Sequence, residues 1–188
     1  MRTRTVAPLF LLLAAVGGQG CSCGYNRIVQ EEQAVESSWS QVENQLQRRA
    51  DLIPNLVETV KGYAKEEKDV FTNIANSRAA MLGASSRADK ITAANQFDGA
   101  LSRLMMVTEN YPQLKADANF RQLMDELAGT ENRLAVERKR YNDAVQIYNT
   151  DVRGIPGSWW RAIGGFAPQK DYFKAEAGAK VAPKVSFQ

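Results

Sequence analysis

The stretch VESSWSQVENQLQRRADLIPNLVETV, residues 35–60, decides the fold. Trp39, Leu46, Ile53 and Val60 recur at sevenfold spacing, and Val35, Val42 and Leu56 form a companion row with Arg49 in its gap. Two such rows lie on one side of an α-helix, and that side must be buried. The first row continues through Glu67 to Ile74, the second through Tyr63 to Val70. A β-strand needs alternation at period two, and no long Val, Ile or Thr alternation stands between turn residues.

The pattern extends outward from this stretch. Ala94, Phe97, Leu101, Leu104 and Met105 mark a further helix. Phe120, Leu127, Leu134, Tyr141 and Tyr148 mark the last long one, with Leu123, Met124, Val145 and Val152 beside them. Gly83-Ala84-Ser85-Ser86 reads as a connection, while Tyr111-Pro112 and Ile155-Pro156-Gly157 read as helix ends. The expected fold is all-α: an antiparallel four-helix bundle with long helices and a short aromatic-rich C-terminal segment. Pro54 does not shift the sevenfold phase. One kinked helix accommodates it, and so do two helices meeting at a turn, with Asp51 as N-cap and Pro54 in the first turn. Burial favours the turn, because a long two-helix hairpin covers little core. Trp39, Leu56, Phe97 and Tyr141 are then expected inside one core.

The N-terminus reads as a targeting segment. Arg2 and Arg4 precede an apolar run from Val6 to Val16, followed by Gly17-Gly18-Gln19-Gly20-Cys21. The run is about half the ~20 residues a spanning helix needs, so a cleaved signal is favoured over a transmembrane anchor. Both cysteines, Cys21 and Cys23, sit at this boundary. A cysteine after a small residue at the end of an apolar run resembles a bacterial lipobox, which makes Cys21 the expected acylation site and Cys23 the alternative. The expected organisation is a lipoprotein-type signal over 1–20, an anchor and linker over 21–24, a helical domain over 25–174 and a flexible tail over 175–188.

Composition narrows the function. The 188 residues contain no histidine, which removes His-based triads and His-ligated metal or haem sites. The net charge is +3. It includes Arg2 and Arg4, so nothing marks the remainder as a nucleic-acid binder. No phosphate-binding loop and no carboxylate-rich metal pattern is present. Catalytic, cofactor-binding and metal-binding residues are therefore expected to be none.

The segment Arg48-Arg49-Ala50-Asp51-Leu52-Ile53-Pro54-Asn55-Leu56-Val57-Glu58-Thr59-Val60-Lys61-Gly62-Tyr63 resembles the signature of the LemA family. Tyr25-Asn26, Trp39, Tyr111-Pro112-Gln113-Leu114-Lys115, Asn119-Phe120 and Thr130-Glu131-Asn132-Arg133 agree with it. So do Arg140-Tyr141-Asn142, Tyr148-Asn149-Thr150, Gly165-Phe166 and Tyr172-Phe173. The resemblance covers Tyr25 to Phe187. It implies a bacterial, N-terminally membrane-anchored helical bundle with no enzymatic activity and no catalytic residues to carry over. Many such proteins begin with a transmembrane helix, from which this chain departs at Cys21 and Cys23.

Four polar residues, Arg48, Arg49, Asp51 and Asn55, read as a docking or turn motif. As turn residues, Asp51 caps a helix, Asn55 bonds the backbone around Pro54 and one arginine pairs an acid. Glu131 and Arg138 fall on the buried side of the last long helix. Such charges fix register across helices, with a carboxylate-based enzyme site around Glu131 as the alternative. Trp159 and Trp160 suit a membrane interface, but a plug over the open end of the bundle is favoured. The expected function is a non-enzymatic cell-envelope scaffold or adaptor. It is expected to be membrane-anchored and extracytoplasmic, on the periplasmic face of the inner or outer membrane. Its expected partners are the membrane and envelope proteins, with no nucleic acid and no small-molecule substrate.

Overall fold

The computed structural model describes the backbone of residues 7–174, with side chains from Gly24 onward. The side chains of the expected signal, those of Cys21 and Cys23, and the tail 175–188 lie outside the described residues. Six helices and no strand occur among the described residues: α1 (Ala7–Lys61), α2 (Lys68–Gly83), α3 (Arg87–Glu109), α4 (Pro112–Ala116), α5 (Ala118–Arg153) and α6 (Gly157–Gly164). The protein is all-α.

The turn expected at Pro54 is absent, and α1 runs through it to Lys61. A proline inside a helix lacks the N–H that would bond the carbonyl four residues back, here that of Ala50. The Arg78 Nε of α2 donates to this carbonyl at 2.7 Å. Ala50 is fully buried, so water could not have filled the gap. A neighbouring helix thus supplies the bond that the proline removes. The chain turns back only after Lys61, which leaves Tyr63 exposed instead of in the buried row.

The chain divides into two compact units. The first takes the chain up to Ser40 together with Lys139–Tyr172. Here α1 and α5 run antiparallel. Arg27 Nη2 lies 2.6 Å from Asp151 Oδ2, and Trp39 packs on Tyr141 with ring centroids 5.2 Å apart. The segment after α6 is tied down by the polar ends of buried side chains. Tyr148 Oη donates to the Ala167 carbonyl at 2.8 Å and Tyr141 Oη to the Asp171 carbonyl at 2.7 Å. Asn149 exchanges two hydrogen bonds with the Lys170 backbone, and Lys170 Nζ lies 2.9 Å from Glu32 Oε1. Buried tyrosines need such partners, which gives this irregular segment a defined path. Of the aromatic segment expected to act as a plug, no residue of α6 is buried, Trp160 and Phe166 are half-buried and Phe173 is buried.

The second unit takes Gln41–Arg138 with the residues from Phe173. It gathers the C-terminal part of α1, the α2–α3 hairpin, α4 and the N-terminal part of α5. Ser86 caps α3, its hydroxyl accepting from the Asp89 N–H at 3.0 Å. Asp117 does the same for α5, accepting from the Phe120 N–H at 2.9 Å and from Tyr63 Oη at 3.0 Å. These bonds hold the Asp117 carboxyl below the usual carboxylate range, the Phe120 N–H contributing most. Lys90 Nζ ties α3 to Glu43 of α1 at 2.7 Å.

All four residues expected in the core are buried. Trp39 and Tyr141 belong to the first unit, Leu56 and Phe97 to the second.

Candidate functional site

The four residues of the expected docking or turn motif do not form one cluster. Arg49 turns inward and is only 7% exposed, whereas Arg48, Asp51 and Asn55 are exposed. Asp51 caps nothing, since it lies inside α1; its Oδ1 accepts from Gln47 Nε2 at 2.8 Å. Asn55 does not bond the backbone around the proline through its side chain. Its own carbonyl accepts from Thr59 Oγ1 at 2.9 Å.

Arg49 is the centre of a charge network within the second unit. Its Nη1 donates to Asp98 Oδ1 and stands 2.6 Å from Glu131 Oε2, the latter an ion-pair contact outside hydrogen-bond geometry. Arg138 Nη2 lies 3.3 Å from Asp98 Oδ2, and its Nη1 lies 3.9 Å from Glu131 Oε1. Rings flank both guanidinium groups: Phe97 lies 5.8 Å from Arg49, and Phe173 lies 4.5 Å from Arg138. Two cations thus face two carboxylates where α1, α3 and α5 meet. Arginine does not give up its proton, so both guanidinium groups stay charged and hold the two carboxylates across the three helices. Glu131 has the cationic partner that the structural reading requires. Asp98, which bridges the two arginines, was not distinguishable in sequence from the other acids of α3.

Arg48 points the other way, into a surface cavity of about 580 Å³ between α1 and α5 of the second unit. Arg121 and Arg133 join it, with Leu52 and Gly129 between them. None of the three guanidinium groups forms an ion pair among the described residues. Asp125 and Glu126 line the same cavity, and Glu126 Oε1 accepts from Gln122 Nε2 at 3.2 Å. Planar guanidinium groups with free donors suit carboxylates or phosphates.

A strongly perturbed acid is Glu31 in the first unit. Burial first, and the neighbouring carboxyl of Asp151 second, push its carboxyl up to about 7. Arg27 Nε at 2.9 Å opposes this. Glu31 and Arg27 line a surface cavity of about 700 Å³ with Gln30, Arg140, Asp143 and Ile147. Burial also pushes the Tyr148 phenol up to about 12, with Glu32 adding to the effect. No local pattern marks the Glu31–Asp151 pair, because 120 positions separate its members.

Among the described residues no three His, Cys, Asp or Glu side chains converge as metal ligands. Nor is any helix there long and apolar enough to cross a membrane. Magnetosome proteins are among those similar to this chain. MamQ 2 of Paramagnetospirillum magneticum is 26% identical over 176 residues, covering 80% of this chain and 64% of its own length. MamQ of Magnetospirillum gryphiswaldense is 24% identical over 180 residues, covering 82% of this chain and 66% of its own. The chain therefore spans just under two thirds of the length of these relatives. The LemA family pattern matches residues 38–187, which include the Pro54 helix, the Arg49–Glu131 network and the strap tied down by Tyr141 and Tyr148. With that match over most of its length, the chain belongs to the LemA family.

Proposed function

We propose that this protein is a non-enzymatic, membrane-tethered scaffold or adaptor of the cell envelope, docking acidic segments of partner proteins in the Arg48 groove. The observation that carries this reading is the division of charges in the second unit. The internal carboxylates face arginines, while Arg48, Arg121 and Arg133 line one open groove without ion pairs. Unpaired surface cations contribute little to folding but steer and orient a charged partner. The relatives' names mention the magnetosome and no reaction, which is compatible with this reading.

Tethering is the second part of the proposal. The signal over 1–20 is cleaved and Cys21 acylated, with Cys23 or an uncleaved transmembrane segment as alternatives. The domain over 25–174 then stands on the extracytoplasmic side, followed by the tail. Intact mass of the protein from membranes should show an acylated N-terminal cysteine; an unprocessed Met1 terminus would overturn this part.

For the groove, a photo-crosslinker placed at Leu52 in intact cells is the direct test. The expected result is a discrete adduct that disappears in Arg48→Glu/Arg133→Glu, with helicity unchanged. An adduct indifferent to this charge reversal would refute docking by charge. A well-folded Glu131→Gln that reproduces the deletion phenotype would instead revive a carboxylate-based enzyme.

A further inference from the structure

The eight residues of α6 present two unlike faces. One is packed. Trp160 meets Tyr25 edge-on with centroids 6.5 Å apart, and Phe166 stands 5.3 Å from Tyr25. Three glycines permit this approach. A Cβ at Gly24 would fall 2.7 Å from the Trp160 indole nitrogen, and one at Gly164 would fall 2.5 Å from the Phe166 ring. One at Gly157 would overlap the Asp151 carbonyl at 1.8 Å. The position of α6 against α1 and α5 is therefore fixed by close contact within the first unit.

The other face is apolar and uncovered. Ile155 is 81% exposed, Trp159 65% and Ile163 75%. Their spacing of four puts Trp159 and Ile163 one above the other on α6, and Ile155 stands exposed two residues before the helix. Single exposed apolar side chains are ordinary, but a tryptophan and an isoleucine exposed together on one helix face are not. Its place in the chain indicates what covers it. Gly24, on which Trp160 rests, follows Cys21, the proposed tether, by three positions. That interval lies in α1, so it corresponds to roughly 4.5 Å of helix rise. The headgroup layer of a bilayer is about as deep. Tryptophan and branched aliphatic side chains favour that layer.

We infer that the Ile155–Trp159–Ile163 patch is an interfacial foot, seated in the headgroup region of the bilayer that holds the N-terminus. This rests on the tethering proposed above. The foot gives the domain a second point of contact with the membrane and so restricts its swivelling about the tether.

The test uses the full chain purified from membranes and reconstituted into phosphatidylethanolamine–phosphatidylglycerol vesicles. Some of the vesicles carry lipids brominated near the headgroup. Trp39 is buried and Trp160 packed, so the lipid-quenchable emission should come from Trp159. The expected result is quenching by brominated lipid that is lost in W159F, while acrylamide quenches the same component only after detergent extraction. Vesicle flotation is measured in parallel. A chain that floats but shows equal lipid quenching in wild type and W159F overturns the foot and leaves the tether standing. So does a Trp159 shielded from acrylamide yet not reached by brominated lipid, since a protein then covers the patch. A chain that does not float overturns the tether, and the foot with it.

Discussion

Removing the Arg78 side-chain donor while keeping its bulk, as in Arg78→Met, exposes the cost of a proline inside α1. In the folded chain the Ala50 carbonyl has lost its helical partner to Pro54 and takes Arg78 Nε at 2.7 Å instead. Ala50 is fully buried, so the variant leaves an acceptor without water. An unsatisfied buried group costs about 1–3 kcal/mol. The accompanying loss of the 3.9 Å contact to Asp51, an exposed pair, adds little. In a chain of this size the penalty corresponds to a fall in melting temperature of roughly 2–12 °C. Pro54→Ala supplies the decisive control. It restores an N–H to position 54, which can bond the Ala50 carbonyl directly, and alone it should stabilise by up to about 3 kcal/mol. In that background Arg78→Met should cost much less than in the wild type. A urea-denaturation cycle of the four proteins, followed by far-UV circular dichroism, measures the coupling. Equal costs of Arg78→Met in both backgrounds would refute the account of how α1 survives its proline.

The Arg49 network gives an asymmetric pair of variants. Arg49→Ala leaves Asp98 and Glu131 with Arg138 alone and should cost about 3 kcal/mol, the low end for a broken buried pair because Arg138 remains and both acids keep some solvent. Glu131→Gln leaves Arg49 on Asp98 and should cost about 1 kcal/mol or less; chemical denaturation of both variants checks the contrast. Leu56 is fully buried, so Leu56→Ala should cost about 2–5 kcal/mol in the same assay. The Glu31 carboxyl titrates at about 7 in the folded chain against an ordinary 4.5. A raised folded value favours the fold in full below the ordinary value, and that contribution is lost as pH rises through about 7. Wild type should therefore lose stability relative to Glu31→Gln between about pH 5 and 8, read through Trp39 fluorescence in denaturant; parallel profiles would argue against the shift.

Much of this protein was determined by its sequence alone. Heptad rows such as Val35, Trp39, Val42 and Leu46 impose a helix with one buried side whatever the partner, because periodicity is a local property. Tyr141 and Tyr148 carry the same message for α5, and Pro112 and Gly83 marked the breaks correctly. The LemA resemblance was legible for the same reason, in contiguous residues. Tertiary structure alone decided what happens at Pro54. Local rules offered a turn or one continuous helix, and α1 continues through Pro54 with Arg78, 28 positions from Ala50 along the chain, filling the missing bond. Partner choice among charges was equally non-local. No spacing announced that Asp98 would bridge Arg49 and Arg138, or that Glu31 would meet Asp151. The same holds for Trp159 and Trp160, adjacent in sequence and alike in chemistry. The close approach of α6 to Gly24 packs one and leaves the other bare, because successive positions on a helix point in different directions and only the neighbouring element decides which is covered.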